Sequence, residues 1–138
     1  MTTVGVVIPT HRADGWLDEA VESVLSSRAV EVRLVVVANG MAEFPHRPWQ
    51  DDERVRLIHK AVALGPTRAM IIGVQSSPTE FIARLDADDR MLPERLAAQV
   101  ARLRAQPDAP MVGTATRRIT AQGAPAGSIR MPVGDDVR

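Results

Sequence analysis

The sequence has 138 residues, about the length of one domain and enough to bury a hydrophobic core. Its 17 basic and 17 acidic residues cancel, so no large basic surface for nucleic acid is indicated, and the lack of cysteine excludes disulfides and thiolate chemistry. The apolar runs are far shorter than the roughly 20 residues that span a bilayer, so we expect no transmembrane segment and a cytoplasmic location.

Short apolar runs alternate with helical patterns along the chain. Residues 4–8 form a continuous apolar run that stops at Pro9, as a buried parallel strand does. A helix over residues 15–25 follows the predicted N-cap Asp14. Further strands are predicted at residues 32–37, 54–59, 80–85 and 111–119, further helices at residues 67–75 and 93–105, and a short extended piece at residues 128–131. In the connection between the second and third strands, we expect Trp49 to pack over the edge of the core; the alternative is that it marks a partner surface.

The order of these elements is β-α-β-β-α-β-α-β. Such an alternation predicts a mostly parallel sheet with helices on both faces. The predicted fold class is therefore α/β, a three-layer α/β/α sandwich with a Rossmann-like sheet.

Three carboxylates, Asp86, Asp88 and Asp89, directly follow the predicted strand 80–85. Loops at the carboxyl ends of strands bind ligands in open α/β sheets, and crowded carboxylates repel one another. Mg²⁺ takes one or two carboxylates together with phosphate oxygens and waters, and Mn²⁺ has similar preferences. The pattern therefore predicts a metal-bridged phosphate ligand. The alternative is a polar loop whose acids help to start the helix at Pro93.

Four segments carry motifs: Val7-Ile-Pro-Thr-His-Arg12, Val36-Val-Ala-Asn-Gly40, the helix start at residues 65–73, and the acidic segment at residues 85–96. In order and spacing they resemble the motifs of inverting glycosyltransferases with the GT-A fold, of the large family 2 type. Together they extend over residues 3–119. The resemblance implies the GT-A form of the predicted α/β fold.

The N-terminal half of proteins in that family binds a nucleotide-diphosphate sugar, usually a UDP-sugar, together with Mn²⁺ or Mg²⁺. The resemblance implies a nucleotide pocket at the end of the first strand, an arginine that reaches the base or the diphosphate, and aspartates that contact the ribose and the metal. The implied nucleotide-sugar-binding residues are Pro9, Thr10, Arg12, Asn39, Arg68 and Asp86, and the implied metal ligands are Asp88 and Asp89.

The chain also departs from the family motifs. Ala38 stands where an acid commonly contacts the base or ribose, and Met70 and Ile71 replace an Arg-Asn pair. The general base of the family lies in a C-terminal half that also binds the acceptor, and we expect that half to begin near the end of this sequence. Residues 1–138 are therefore predicted to be a single nucleotide-sugar-binding domain, truncated before the acceptor-binding half, with an unknown catalytic base. Asp135 and Asp136 are interpreted as part of a solvated tail.

Two functions of different classes follow from these observations. The first is a metal-dependent glycosyltransferase that transfers a sugar from a UDP-sugar to an unknown acceptor. The second is a non-catalytic module, or a fragment, that binds the nucleotide sugar but lacks the base. A nucleotidyltransferase ranks last because the first strand is not followed by a Gly-rich basic loop. Without a C-terminal half, sheet edge and apolar surface would be exposed, so homo-oligomers are a further hypothesis.

Overall fold

A computed structural model of the protein describes residues 1–130. The chain separates into a first compact unit, Met1–Val100, and a second that begins at Ala101; the prediction of a single domain stays a prediction. The strands are β1 (Thr3–Thr10), β2 (Glu31–Asn39), β3 (Val55–Lys60), β4 (Phe81–Arg84), β5 (Thr116–Ile119) and β6 (Pro125–Ile129). The helices are α1 (Gly15–Leu25), α2 (Pro66–Gln75) and α3 (Arg95–Ala105), with a short 3₁₀ helix at Pro48–Asp51.

The first unit contains a four-stranded sheet in the order β3-β2-β1-β4. All its strand pairs are parallel, and β1 lies between β2 and β4, with Thr10 opposite Ala38 and Val7 opposite Arg84. The carboxyl ends of the four strands therefore meet at one edge of the sheet.

Helices cover both faces of this sheet, which confirms the predicted α/β class. Alternate residues of β1 point to opposite faces: Val6 and Ile8 pack with α1 and α3, and Val7 packs with α2. This two-sided burial explains why β1 and β2 are almost continuously apolar in sequence. The first face buries, among others, Leu17, Val21, Val24, Leu34, Val36, Leu96 and Val100.

The predicted fifth strand is shorter than expected and does not join the parallel sheet. Residues 111–115 are not in a strand, and β5 pairs antiparallel with β6 in a separate two-stranded sheet. The reason is that β5 has the sequence Thr-Arg-Arg-Ile, which offers no apolar face to bury, and all four residues are exposed. β6 starts at Pro125, three residues before the predicted extended piece at residues 128–131. The last residue of that piece lies outside the described part of the chain, and so do Asp135 and Asp136. α3 begins two residues after Pro93.

α2 lies close against β1 because Gly73 has no side chain. A Cβ at Gly73 would overlap Val7 Cγ1 and lie 3.0 Å from Val7 Cγ2. Val7 is fully buried, so the space between the helix and the strand is already filled. This close approach fixes the distance of α2 from the sheet, and with it the position of the first turn of α2.

The connection between β2 and β3 is held on α1 by one carboxylate. Asp18 Oδ1 accepts hydrogen bonds from Arg47 Nε at 3.0 Å and from Trp49 Nε1 at 2.9 Å, and Asp18 Oδ2 pairs with Arg47 Nη2. The hydrogen bond from Arg47 is the largest cause that lowers the pKa of Asp18 below its ordinary value, and the bond from Trp49 adds to it. Burial acts in the opposite direction and raises this pKa. Trp49 is only 9% exposed, which confirms that it packs over the core edge.

Within residues 1–130, no helix is long and apolar enough to cross a membrane.

Candidate functional site

The residues that the sequence predicted for the site lie at the carboxyl edge of the parallel sheet. Thr10 and Asn39 end β1 and β2, and Arg12 is in the loop after β1. Arg68 lies in the first turn of α2, and the three aspartates follow β4 directly. Open α/β sheets bind ligands at this edge. The fold thus brings residues from four separate segments of the sequence to one side of the molecule.

Thr10 shapes the loop after β1 through its hydroxyl group. Thr10 is buried, and its Oγ1 accepts a hydrogen bond from Arg12 N at 3.1 Å and donates one to Arg12 O at 2.7 Å. The hydroxyl is therefore engaged within the chain. Its contribution to the site is to fix the backbone of Arg12.

The side chain of Arg12 rests on two residues at the start of α1. Its guanidinium carbon lies 5.5 Å from the centre of the Trp16 ring, and its Nε lies 3.5 Å from Asp14 Oδ2. Asp14 also caps α1 by accepting a hydrogen bond from Leu17 N at 3.0 Å, as predicted. The sequence did not lead us to predict a role for Trp16 at the site. The signal that could have indicated one is a tryptophan in the first turn of a helix that begins at the ligand-binding edge of the sheet. It is 44% exposed, unusually open for a tryptophan.

Asn39 joins the end of β2 to the loop before α2. Its Oδ1 accepts a hydrogen bond from Leu64 N at 2.8 Å, and its Nδ2 donates one to Gly65 O at 3.2 Å. Both ends of the side-chain amide are therefore bonded to the protein backbone.

Arg68 presents a cation to solvent beside this loop. It is exposed, and in the described part of the chain it makes no ion pair with an acid. A guanidinium binds phosphate oxygens in pairs. Arg68 is thus available to an anionic ligand without breaking an existing ion pair.

The aspartates after β4 have different surroundings. Asp86 Oδ1 accepts two hydrogen bonds from Arg84, from Nη2 at 2.9 Å and from Nε at 3.2 Å. Asp88 is exposed. Desolvation raises the pKa of Asp89 above its ordinary value, and the charges of Asp88 and Asp86 raise it further. The loop therefore concentrates negative charge near Asp88 and Asp89, while Asp86 is already paired.

Arg95, whose role the sequence did not predict, lies at the start of α3 and interacts electrostatically with Asp89 of the acidic loop. Its Nη2 donates a hydrogen bond to Arg84 O at 3.3 Å, and its buried Nε has no hydrogen-bond partner among the described residues. Burial lowers the pKa of Arg95, whereas the charge of Asp89 raises it. Arg95 thus ties α3 to the end of β4 and lies within the electrostatic reach of Asp89.

The acidic loop offers the donor atoms that Mg²⁺ and Mn²⁺ prefer. Among residues 1–130, no three His, Cys, Asp or Glu side chains converge on a point where they could hold a metal ion. Mg²⁺ is commonly bound by one or two carboxylates plus substrate phosphates and waters. The adjacent carboxylates of Asp88 and Asp89 fit a cation of that kind, because a bound positive charge would offset the negative charge that three aspartates concentrate on this short loop.

Comparison with known proteins identifies the family. A sequence model described as glycosyl transferase family 2 matches residues 5–129. The chain belongs to this family. A similar protein is the O-antigen biosynthesis glycosyltransferase WbnJ of Escherichia coli, 30% identical over 126 residues, which are 87% of this chain and 48% of WbnJ. An uncharacterized glycosyltransferase of Rickettsia felis is 28% identical over 102 residues, 72% of this chain and 17% of that protein.

Solved structures show the same fold. The structure of residues 1–349 of S. aureus TarS in complex with UDP-GlcNAc matches this family 2 chain with a TM-score of 0.66 and 18% identity. The match covers 76% of this chain and 32% of the TarS chain. The chain thus spans less than half of the length of these relatives. The predicted family resemblance and fold class are confirmed.

Proposed function

We propose that this chain forms the donor-binding part of a glycosyltransferase that takes a UDP-sugar with Mn²⁺ or Mg²⁺. The observation that carries the proposal is the placement, at one edge of the parallel sheet, of the carboxylates after β4 and of Arg68, which has no ion pair within residues 1–130. Two named proteins support it. WbnJ is named a glycosyltransferase of O-antigen biosynthesis, and TarS was crystallised with UDP-GlcNAc and with UDP.

The proposed site divides its tasks among the residues described above. Asp88 and Asp89 hold the cation, which when bound would neutralise charge on the diphosphate leaving group. Arg68 contributes a second positive charge to the diphosphate, and Arg12, held by Thr10 and Trp16, borders the proposed nucleotide site at the end of β1. Asp86 and Pro9 complete the proposed nucleotide contacts. An acceptor hydroxyl would then attack the anomeric carbon.

A second candidate is a module that binds the nucleotide sugar without turning it over. The observation that favours it is the share of WbnJ that the chain spans, 48%, because the resemblance places the general base and the acceptor site of such enzymes in a C-terminal half. The cytoplasmic location and the homo-oligomer stay predictions.

Calorimetric titration with UDP, with and without Mn²⁺, tests the donor site. We expect binding that requires the cation and that is tighter for UDP than for GDP or TDP. Binding of UDP that is equal with and without Mn²⁺ would contradict the metal site, and no binding of any nucleotide would contradict the donor site. Turnover of a labelled UDP-sugar by this chain alone would then decide between an active enzyme and the binding module.

The variant Asp88→Asn tests the metal ligand. Asp88 is exposed on a loop, so we expect an intact fold, shown by an unchanged circular dichroism spectrum, and loss of metal-dependent UDP binding. Glu94→Gln is a matched control, because Glu94 lies nearby in sequence but pairs with the exposed Arg28 at 3.4 Å. Equal loss in both variants would mean that general surface charge, and not a metal ligand, supports binding.

The variant Arg68→Ala tests the proposed diphosphate contact. Removing a guanidinium that binds phosphate is expected to weaken UDP binding about tenfold while leaving uridine binding unchanged. The measurement is the ratio of the two affinities by calorimetry. Equal weakening of both ligands would assign Arg68 to the base instead.

A further inference from the structure

The loop between β3 and α2 is held across the end of β2. Asn39 is the only asparagine of the sequence, and its amide makes one bond on each side of the peptide unit that joins Leu64 and Gly65. The distances are 2.8 Å from Leu64 N to Asn39 Oδ1 and 3.2 Å from Asn39 Nδ2 to Gly65 O. The side chain of Asn39 thus binds both a backbone N–H group of the loop, that of Leu64, and a backbone carbonyl group, that of Gly65.

The backbone next to Asn39 shows independently that the loop lies close to β2. Gly40 has a φ of +82°, and a Cβ there would lie 2.8 Å from Ala63 Cβ. Gly40 N also donates a hydrogen bond to Lys60 O at 2.9 Å. A residue with a side chain at position 40 would push the loop away, so the Asn-Gly pair acts as a unit: glycine admits the loop and asparagine holds it.

The hydrogen bonds of Asn39 extend to the start of α2. Gly65 O accepts a hydrogen bond from Asn39 Nδ2 and one from Ala69 N, each at 3.2 Å. The second of these is the first backbone hydrogen bond of the helix, and it closes the turn that contains Arg68. The position of Arg68 relative to the sheet is therefore set through the carbonyl that Asn39 holds.

We propose that Asn39 is a positioning residue that aims the first turn of α2, and with it Arg68, at the diphosphate. The inference rests on the proposed function, and it replaces the expected direct contact of Asn39 with the nucleotide by an indirect one. Both polar atoms of the amide are already occupied by the backbone. An aspartate could accept the hydrogen bond from Leu64 N, but it could not donate to Gly65 O.

Substitutions at Asn39 separate this role from direct contact. Asn39→Ala is expected to weaken UDP binding about tenfold, the size of effect that follows from the loss of hydrogen bonds to backbone groups, and to leave uridine binding unchanged. Asn39→Asp keeps one of the two bonds, so its affinity should lie between those of Asn39→Ala and the unmodified chain. If Asn39 contacts the nucleoside, Asn39→Ala weakens uridine binding as much as UDP binding, and the proposal is overturned.

A double-mutant cycle with Arg68 tests the connection itself. If Asn39 acts through Arg68, then Arg68→Ala should cost little further UDP affinity when Asn39→Ala is already present. Independent, multiplicative losses would contradict the proposal. The measurement is calorimetry on the four proteins of the cycle, at one Mn²⁺ concentration.

Amide hydrogen exchange tests the loop without any ligand. In the unmodified chain, the Leu64 amide should exchange slowly because it is bonded to Asn39, and Asn39→Ala should expose it to exchange. An unchanged Leu64 rate would overturn the proposed role of Asn39. If the unmodified chain binds no nucleotide, the proposed function fails, and the exchange rates alone still decide whether Asn39 holds the loop.

Discussion

The close approach of α2 to β1 leads to a prediction in which two effects have opposite signs. Replacing a glycine inside a helix by alanine ordinarily stabilises a protein by about 1 kcal/mol, because alanine has the higher helix propensity. Gly73→Ala should do the reverse. The new Cβ would overlap Val7 Cγ1 and lie 3.0 Å and 3.2 Å from Val7 Cγ2 and Cβ.

The magnitude follows from how little the surroundings can yield. Val7 is fully buried and stands in the central strand, and a β-branched side chain has a stiff χ1. Overpacking a filled core costs about 1–3 kcal/mol, and we place Gly73→Ala at the upper end of that range. After the gain in helix propensity, we expect a net loss of about 2 kcal/mol, or a fall in melting temperature of about 8 °C for a domain of this size.

Urea denaturation followed by circular dichroism measures this loss. Gly15→Ala in α1 is the matched control, because a Cβ there meets nothing within 4 Å, and its stability should be unchanged or raised by up to about 1 kcal/mol. The double variant Val7→Ala with Gly73→Ala should lose less stability than the sum of the losses of the two single variants, because the smaller side chain at position 7 makes room for the new Cβ at position 73. A Gly73→Ala protein as stable as the unmodified chain would refute the reasoning.

Two further predictions concern stability. Thr10→Val removes a buried hydroxyl that bonds Arg12 N and Arg12 O, so it should cost about 1–2 kcal/mol by urea denaturation. Thr10→Ser keeps the hydroxyl and should cost less. A loss for Thr10→Ser as large as that for Thr10→Val would contradict the leading role of the hydroxyl. Hydrogen bonds from Arg54 lower the pKa of Asp52 to about 2 in the folded chain. The ionised carboxylate therefore stabilises the fold at pH values above its unfolded pKa of about 3.9, and this stabilisation is lost as the pH falls through about 2. The stability difference between the unmodified chain and Asp52→Asn should therefore shrink from pH 5 to pH 2, and a constant difference would contradict the assignment.

The sequence predicted the parallel sheet because its strands carry a two-sided apolar pattern that few other structures satisfy. It wrongly extended the fifth strand over residues 111–115 because Met111 and Val112 are apolar, whereas the actual strand, β5, is exposed throughout. The location of the aspartates followed from a general rule on sheet edges. No such rule predicts the roles of Asn39, Trp16 and Arg95, because these depend on partners that only the folded chain brings near. Asn39, for example, bonds a residue 25 positions away in the sequence.

The two tryptophans of the chain occupy opposite kinds of surroundings, and this gives the protein two separable optical signals. Trp49 is 9% exposed and donates its indole hydrogen bond to Asp18, whereas Trp16 is 44% exposed and lies under the guanidinium of Arg12. Indole emission depends on exposure to water and on neighbouring charges. A chain with Trp16 replaced by phenylalanine would therefore report unfolding of the core edge, and one with Trp49 replaced would report events at the ligand edge, each without added dye.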